Sequence, residues 1–69
     1  MSSNASKLTR MANQIATFFE TQPKGDKSGL VAAHLVEFWT MQMRRDLQAA
    51  AKEDGHGLSP LALEAAALI

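Results

Sequence analysis

The 69-residue sequence contains no cysteine, no tyrosine and only two prolines. Without cysteine, the chain can form neither a disulfide nor a thiolate metal site. A chain of this length buries only about 60% of the surface that its unfolded form exposes, so its own core stabilises it weakly. Because no covalent staple is available, a partner surface is an expected source of additional burial.

An excess of charge of either sign is also missing. Lysine and arginine together number seven, as do aspartate and glutamate, so the net charge is zero with neutral histidine. Modules that bind nucleic acid usually carry a basic excess, because neutralisation of phosphates supplies most of their affinity. A nucleic-acid partner is therefore disfavoured.

A membrane-spanning segment is not predicted, because the longest apolar run is shorter than the roughly 20 residues that a spanning helix needs. Residues 1–4 lack the basic and apolar regions of a signal peptide. We therefore expect a cytoplasmic protein that does not associate with a membrane.

The pattern of apolar residues predicts helices. The clearest amphipathic segment begins at Lys7, with Ser6 as its possible N-cap, and ends before Pro23. Its apolar positions recur at intervals of three and four residues, as in a helix with one apolar face. These positions are Leu8, Met11, Ala12, Ile15, Phe18 and Phe19.

A second helix is predicted over about 28–39, with Asp26 or Ser28 as its cap, and a third over about 41–53. Thr40 caps the third helix if the chain bends there. If it does not bend, the second and third helices form one continuous helix. Both arrangements fit the sequence.

The glycines Gly55 and Gly57 end the third helix, and either can adopt the left-handed conformation of a C-cap. Ser59 and Pro60 then start a last helix over about 60–68, with serine as N-cap and proline at the first helical position. No strand pattern is evident. The predicted fold is all-α, a small bundle of three to four short helices with little independent core. Residues 1–6 are predicted to form a flexible N-terminal tail, and residues 7–69 a single helical domain.

The second helix has more apolar surface than one core can cover. Its apolar arc spans about 240° at 100° per residue, whereas a surface helix needs only about 100°. The arc comprises Leu30, His34, Phe38, Val31, Leu35, Trp39, Ala32 and Val36. Two aromatic pairs, Phe18–Phe19 and Phe38–Trp39, pose the same problem, because adjacent side chains on a helix point about 100° apart. We expect one member of each pair to face the core and the other to face a partner.

Residues that could carry catalysis are few. His34 lies on the apolar arc and His56 between two glycines, whereas a zinc or iron site needs three or four ligands. Ser28 lies six residues from His34, on a different side of the helix, and the Lys27–Ser28 pair lacks the spacing of a phosphate-binding loop. We therefore interpret His34 as a structural or interface residue and do not expect an enzyme.

Two arginines follow the aromatic segment. Arg44 and Arg45 either solvate the outer face of the third helix or supply a bidentate contact to a carboxylate on a partner. For Arg44 both interpretations fit. Its neighbour Met43 lies on the inward face of the helix, so Arg44 is close to the apolar side as well as to solvent.

Three blocks of sequence resemble a known family. They are residues 8–19 (LTRMANQIATFF), 34–44 (HLVEFWTMQMR) and 57–65 (GLSPLALEA). Together they resemble the delta subunit of molybdenum-dependent, NAD-reducing formate dehydrogenases, and they cover most of the chain. The family usually carries proline at the position of Met41, where proline would enforce a bend after Trp39.

The resemblance implies a small accessory subunit that binds no cofactor itself. In such enzymes the alpha subunit holds the molybdenum bis-pterin centre and iron–sulfur clusters, and the beta and gamma subunits carry FMN and pass electrons to NAD⁺. The delta chain would then support the stability or assembly of the alpha subunit. A free-standing homodimeric helical adaptor is the alternative.

The resemblance also implies which residues contact the partner. In the first helix, the primary amides of Asn13 and Gln14 could hydrogen-bond a partner's backbone, because neither residue favours a helix interior as much as alanine. The full set of expected interface residues is Met11, Asn13, Gln14, Ile15, Phe18, Phe19, His34, Phe38, Trp39, Met43 and Arg44.

Overall fold

The computed structural model describes residues 3–23 and 25–69. They form four helices and, within these two ranges, no strand. The helices are α1 (Ser3–Glu20), α2 (Lys27–Phe38), α3 (Met41–Ala51) and α4 (Pro60–Ala67). The prediction of a small all-α bundle is confirmed.

Helix α1 begins earlier than the sequence pattern predicted. Because it starts at Ser3, Ser6 lies inside the helix and is not its N-cap. Elongation of a helix costs little once one turn has formed, so the short polar segment before Lys7 continues the helix. Met1 and Ser2, from the tail expected over residues 1–6, and Lys24, from the first loop, lie outside the described residues.

A bend separates α2 from α3. Trp39 and Thr40 have extended backbone angles, with ψ near 147° and 161° respectively. The Thr40 hydroxyl accepts a hydrogen bond from the backbone N–H of Met43 at 3.1 Å, which is the bond of a helix N-cap. Of the two arrangements that the sequence allowed, the structure therefore has two separate helices.

The other two predicted caps also form. The Asp26 carboxylate accepts a hydrogen bond from the Gly29 N–H at 3.2 Å, so Asp26 and not Ser28 begins α2. The Ser59 hydroxyl accepts one from the Ala62 N–H at 3.2 Å at the start of α4. In each case a short polar side chain replaces water on an N–H group that has no partner within the helix.

The connection between α3 and α4 depends on glycine. Gly55 and Gly57 have positive φ angles of 70° and 79°, a region that side chains with a Cβ rarely adopt. Between them, the Nδ1 atom of His56 accepts a hydrogen bond from the Leu58 N–H at 2.9 Å. This histidine therefore shapes the turn that leads into α4.

The core is small because its side chains are small. Twelve apolar residues are buried among the described residues, and six of them are alanine. Leu35, Leu47 and Val31 are the largest fully buried side chains. Alanine allows the helices to approach closely but removes little apolar area from water. None of the described helices has the length and apolar character required to cross a membrane.

Candidate functional site

An open groove lies between α1 and α2. Its volume is about 350 Å³. Six side chains line it: Met11, Gln14, Ile15, Phe18, Phe19 and His34. All six belong to the set that the sequence predicted to contact a partner, although the two helices contribute them from separate parts of the chain.

The groove exists because α1 has two apolar stripes. Leu8, Ala12 and Ala16 form the inner stripe and are buried against the other helices. The outer stripe consists of Met11, Ile15 and Phe18, at positions i, i+4 and i+7 of the same helix. Phe18 keeps 60% of its surface exposed. The outer stripe is thus only partly covered by the chain itself.

Four aromatic rings form a continuous row, of which three line the groove and the fourth, Phe38, lies beyond its lining. The centroids of Phe18 and Phe19 lie 5.2 Å apart with the rings nearly perpendicular, and those of Phe19 and His34 lie 6.2 Å apart. Phe38 extends the row, 4.7 Å from His34. Phe38 is 66% exposed. We refer to Phe18, Phe19, His34 and Phe38 as the aromatic row.

Each aromatic pair divides as expected between the interior and the surface. Trp39 is only 7% exposed and belongs to the core, whereas its neighbour Phe38 is the most exposed large apolar side chain that the structure describes. Phe19 is half-buried and Phe18 is exposed. The Trp39 side chain therefore packs in the core of the chain, and Phe38 presents the exposed ring, while contact of Trp39 with a partner stays a prediction.

The apolar surplus of α2 stays on the surface. Val31 and Leu35 are buried, but Leu30 and Val36 remain exposed on the same helix, as does Phe38. The core thus covers the middle of the arc and leaves its two ends exposed: Leu30 adjoins His34 of the aromatic row, whereas Val36 lies about 160° around the helix from Phe38.

Asn13 and Gln14 have different environments. The Asn13 amide does bond backbone groups, but these belong to its own chain: Nδ2 donates to the Gly57 carbonyl and Oδ1 accepts from the Ser59 N–H, each at 2.9 Å. Gln14 is exposed and lines the groove. Of the two amides, Gln14 is the one positioned to reach a partner in the groove.

Met43 and Arg44, the last two expected interface residues, lie outside the groove lining. Met43 is partly buried against the core. Arg44 is half-buried, and its Nε atom is buried without a hydrogen-bond partner among the described residues. A buried N–H group without a hydrogen-bond partner is unfavourable in free energy, so the binding of a partner that supplied an acceptor to this Nε–H would be stabilised by it.

His34 does not belong to a cluster of metal ligands among the described residues. The described residues contain no group of three or more histidine, aspartate or glutamate side chains that could hold a metal ion. The His34 ring contacts the rings of Phe19 and Phe38.

A second open groove, of about 400 Å³, lies between α3 and α4. Its lining consists of Gln48, Ala51, Lys52, Leu63, Ala66 and Ala67. None of these six residues is among the interface residues that were expected from the sequence. The Gln48 side chain donates to the Ala66 carbonyl at 2.9 Å and so connects the two helices across this groove.

Comparison with known proteins identifies one family. The family model of the NADH-dependent formate dehydrogenase delta subunit, FdsD, matches residues 7–66. The match includes all of α2 and α3, all but the first four residues of α1, and all but the last residue of α4. No curated protein and no solved structure matches the chain.

Proposed function

Because the chain belongs to the family of delta subunits of NADH-dependent formate dehydrogenases, we propose that it is a non-catalytic accessory subunit of such an enzyme. It binds the alpha subunit and supports the stability or assembly of that subunit. The cofactors stay with the partners: the molybdenum bis-pterin centre and iron–sulfur clusters in alpha, and FMN and the NAD⁺ site in beta and gamma.

One observation carries this proposal. All six residues that line the groove between α1 and α2 fall within the two sequence blocks, 8–19 and 34–44, that carry the family resemblance. Exposed aromatic side chains in a groove are the kind of residue that dominates the energetics of protein interfaces. The groove is therefore the surface that we assign to the alpha subunit.

The effect on the alpha subunit follows from linkage. A ligand that binds only the folded form of a protein stabilises it, by about 2.7 kcal/mol when the free ligand is at 100 times its Kd. A delta subunit that recognises the folded alpha subunit raises its unfolding temperature in this way. No chemical step by the delta chain is required.

A titration of purified alpha subunit with variants of this chain tests the proposal. Replacing both Phe18 and Phe38 by alanine removes two exposed rings, and each truncation at an interface hot spot costs about 2 kcal/mol or more. Each single substitution should lower the affinity by about 30-fold or more, and the double variant by a larger factor, since 1.4 kcal/mol corresponds to a factor of ten. The unfolding temperature of the alpha subunit should rise with the wild-type chain and not with the double variant.

Leu68 provides the matched control. It is 59% exposed, nearly the same as Phe18, but it lies beyond α4 and outside the groove. The variant Leu68→Ala should bind like the wild type. A stable homodimer that does not bind the alpha subunit would contradict the proposal and favour the adaptor function.

A further inference from the structure

The chemistry of the groove limits what can occupy it. Four of the six lining side chains are apolar, and only Gln14 and His34 carry polar groups. An extended peptide in this groove would lose water from its backbone N–H and C=O groups and find few replacements. Each buried backbone group left unpaired is strongly unfavourable. A helix satisfies its own backbone groups and therefore avoids this cost.

The spacing of the outer stripe agrees with a helical occupant. Met11, Ile15 and Phe18 lie at i, i+4 and i+7, the arrangement with which one helix packs into the grooves of another. The described residues contain no strand edge to which a peptide could add as a further strand. The stripe between Met11 and Phe18 is about 10.5 Å long, which is two helical turns.

The shape of the groove disfavours a small ligand. Sites for small molecules usually bury 70–90% of the ligand surface in a cleft of about 300–1,000 Å³. This groove is at the lower end of that range and is open, and Phe18 on its wall remains 60% exposed. Such a surface suits a row of side chains on a longer partner.

We propose that the groove binds one amphipathic helix of the alpha subunit. Its apolar residues recur at i, i+3 or i+4 and i+7, and pack along Met11, Ile15 and Phe18 and against the exposed end of the aromatic row at Phe38. The facing stripe of the partner is uncharged, because the lining residues carry no acidic or lysine or arginine side chain. This inference rests on the proposed function and specifies the partner's element at the same site.

Photo-crosslinking of the assembled complex tests the inference. The photoreactive amino acid p-benzoylphenylalanine is placed at position 11 or at position 18, in separate full-length variants, and the crosslinked residues of the alpha subunit are mapped by mass spectrometry. The two positions are about 10.5 Å apart along α1. A partner helix should show crosslinks about seven residues apart, whereas an extended partner, at about 3.3 Å per residue, should show them about three apart.

A proline substitution in the crosslinked segment provides a second measurement. Proline in the interior of a helix costs about 3 kcal/mol, which corresponds to a loss of affinity of about 100-fold. Alanine at the same solvent-facing position should leave the affinity unchanged. Equal affinities of the proline and alanine variants would contradict a helical occupant.

The outcomes separate this inference from the proposed function. Crosslinks about three residues apart, or in two distant segments of the alpha subunit, overturn the helix but keep the subunit interface. An intact complex in which position 68 crosslinks but positions 11 and 18 do not assigns the interface to another face and overturns both the groove and its occupant. Failure to form any complex overturns the proposed function itself.

Discussion

The Oδ1 atom of Asn13 lies 2.9 Å from the backbone nitrogen of Ser59, its hydrogen-bond donor 46 residues further along the chain. The same side chain donates from Nδ2 to the carbonyl of Gly57, also at 2.9 Å. Asn13 thus holds the segment before α4 against the middle of α1. Because the chain between Gly57 and Ser59 enters the N-terminus of α4, this side chain helps to fix where that helix packs.

The variant Asn13→Ala should destabilise the isolated chain. It removes two hydrogen bonds, each with a net contribution of about 0.5–1.5 kcal/mol, and leaves the Ser59 N–H without this acceptor. We expect the free energy of unfolding, measured with urea, to fall by about 1–3 kcal/mol.

The neighbouring variant Gln14→Ala is the control for Asn13→Ala. Gln14 is exposed, and exposed substitutions usually change stability by less than about 0.5 kcal/mol. If both variants unfold at the same urea concentration, the hydrogen bonds of Asn13 do not stabilise the fold.

Trp39 and Phe38 should respond in opposite ways to truncation. Trp39→Ala removes a buried ring, which typically costs about 3–5 kcal/mol, so the isolated chain should lose most of its cooperative unfolding transition by circular dichroism. Phe38→Ala removes an exposed ring and its contact with His34, and such an aromatic pair is worth about 0.5–1.5 kcal/mol. Its affinity for the alpha subunit should fall instead.

Binding of the alpha subunit by Phe38→Ala and by a third variant, Trp39→Phe, completes the comparison. At a temperature where both chains are folded, Phe38→Ala should bind more weakly than Trp39→Phe, which keeps an aromatic ring in the core. Equal weakening by the two would place Trp39 at the interface and not in the core.

Local chemistry explains which parts of the fold the sequence predicted. The caps at Asp26, Thr40 and Ser59 were predictable because each is a short polar side chain bonding an N–H three residues later. The start of α1 at Ser3 was not predictable. Ser6 has a side chain that can cap a helix, but a helix that has already formed extends past such a residue at little cost in free energy.

Long-range packing explains what the sequence did not predict. The sequence predicted that the Asn13 amide bonds the backbone of a partner. It did not predict the bonds to Gly57 and Ser59, because no local pattern relates positions 44 and 46 residues apart. Likewise, the aromatic pair at positions 38 and 39 predicted one buried and one exposed ring. Which of them is buried depends on the bend at Thr40 and on how α2 packs against its neighbours.

Met41→Pro should be tolerated or stabilising. Met41 is the first residue of α3, where proline is favoured because its missing N–H would have no helical partner. The preceding Thr40 already has the extended backbone that proline requires of the residue before it. Proline also reduces the freedom of the unfolded chain, so we expect a gain of about 0.4–1 kcal/mol by urea unfolding.

Arg45→Pro is the control for Met41→Pro. Arg45 is exposed but lies inside α3, where proline removes a helical hydrogen bond and should cost about 3 kcal/mol. A similar loss from Met41→Pro would mean that α3 begins before Met41, as in the continuous helix that the sequence also allowed.

Arg44→Met should separate the two interpretations of this arginine. Methionine keeps the apolar stem and removes the buried Nε–H, which lacks a partner among the described residues, so the stability of the isolated chain should be unchanged or higher. If Arg44 contacts a carboxylate of the alpha subunit, the affinity should fall by about 1.5–3 kcal/mol, the value of a charged hydrogen bond. Arg45→Met, at an exposed position, should change neither quantity. We expect Arg44→Met to bind more weakly than Arg45→Met in a titration of alpha subunit, whereas equal affinities would assign both arginines to solvation of the outer face of α3.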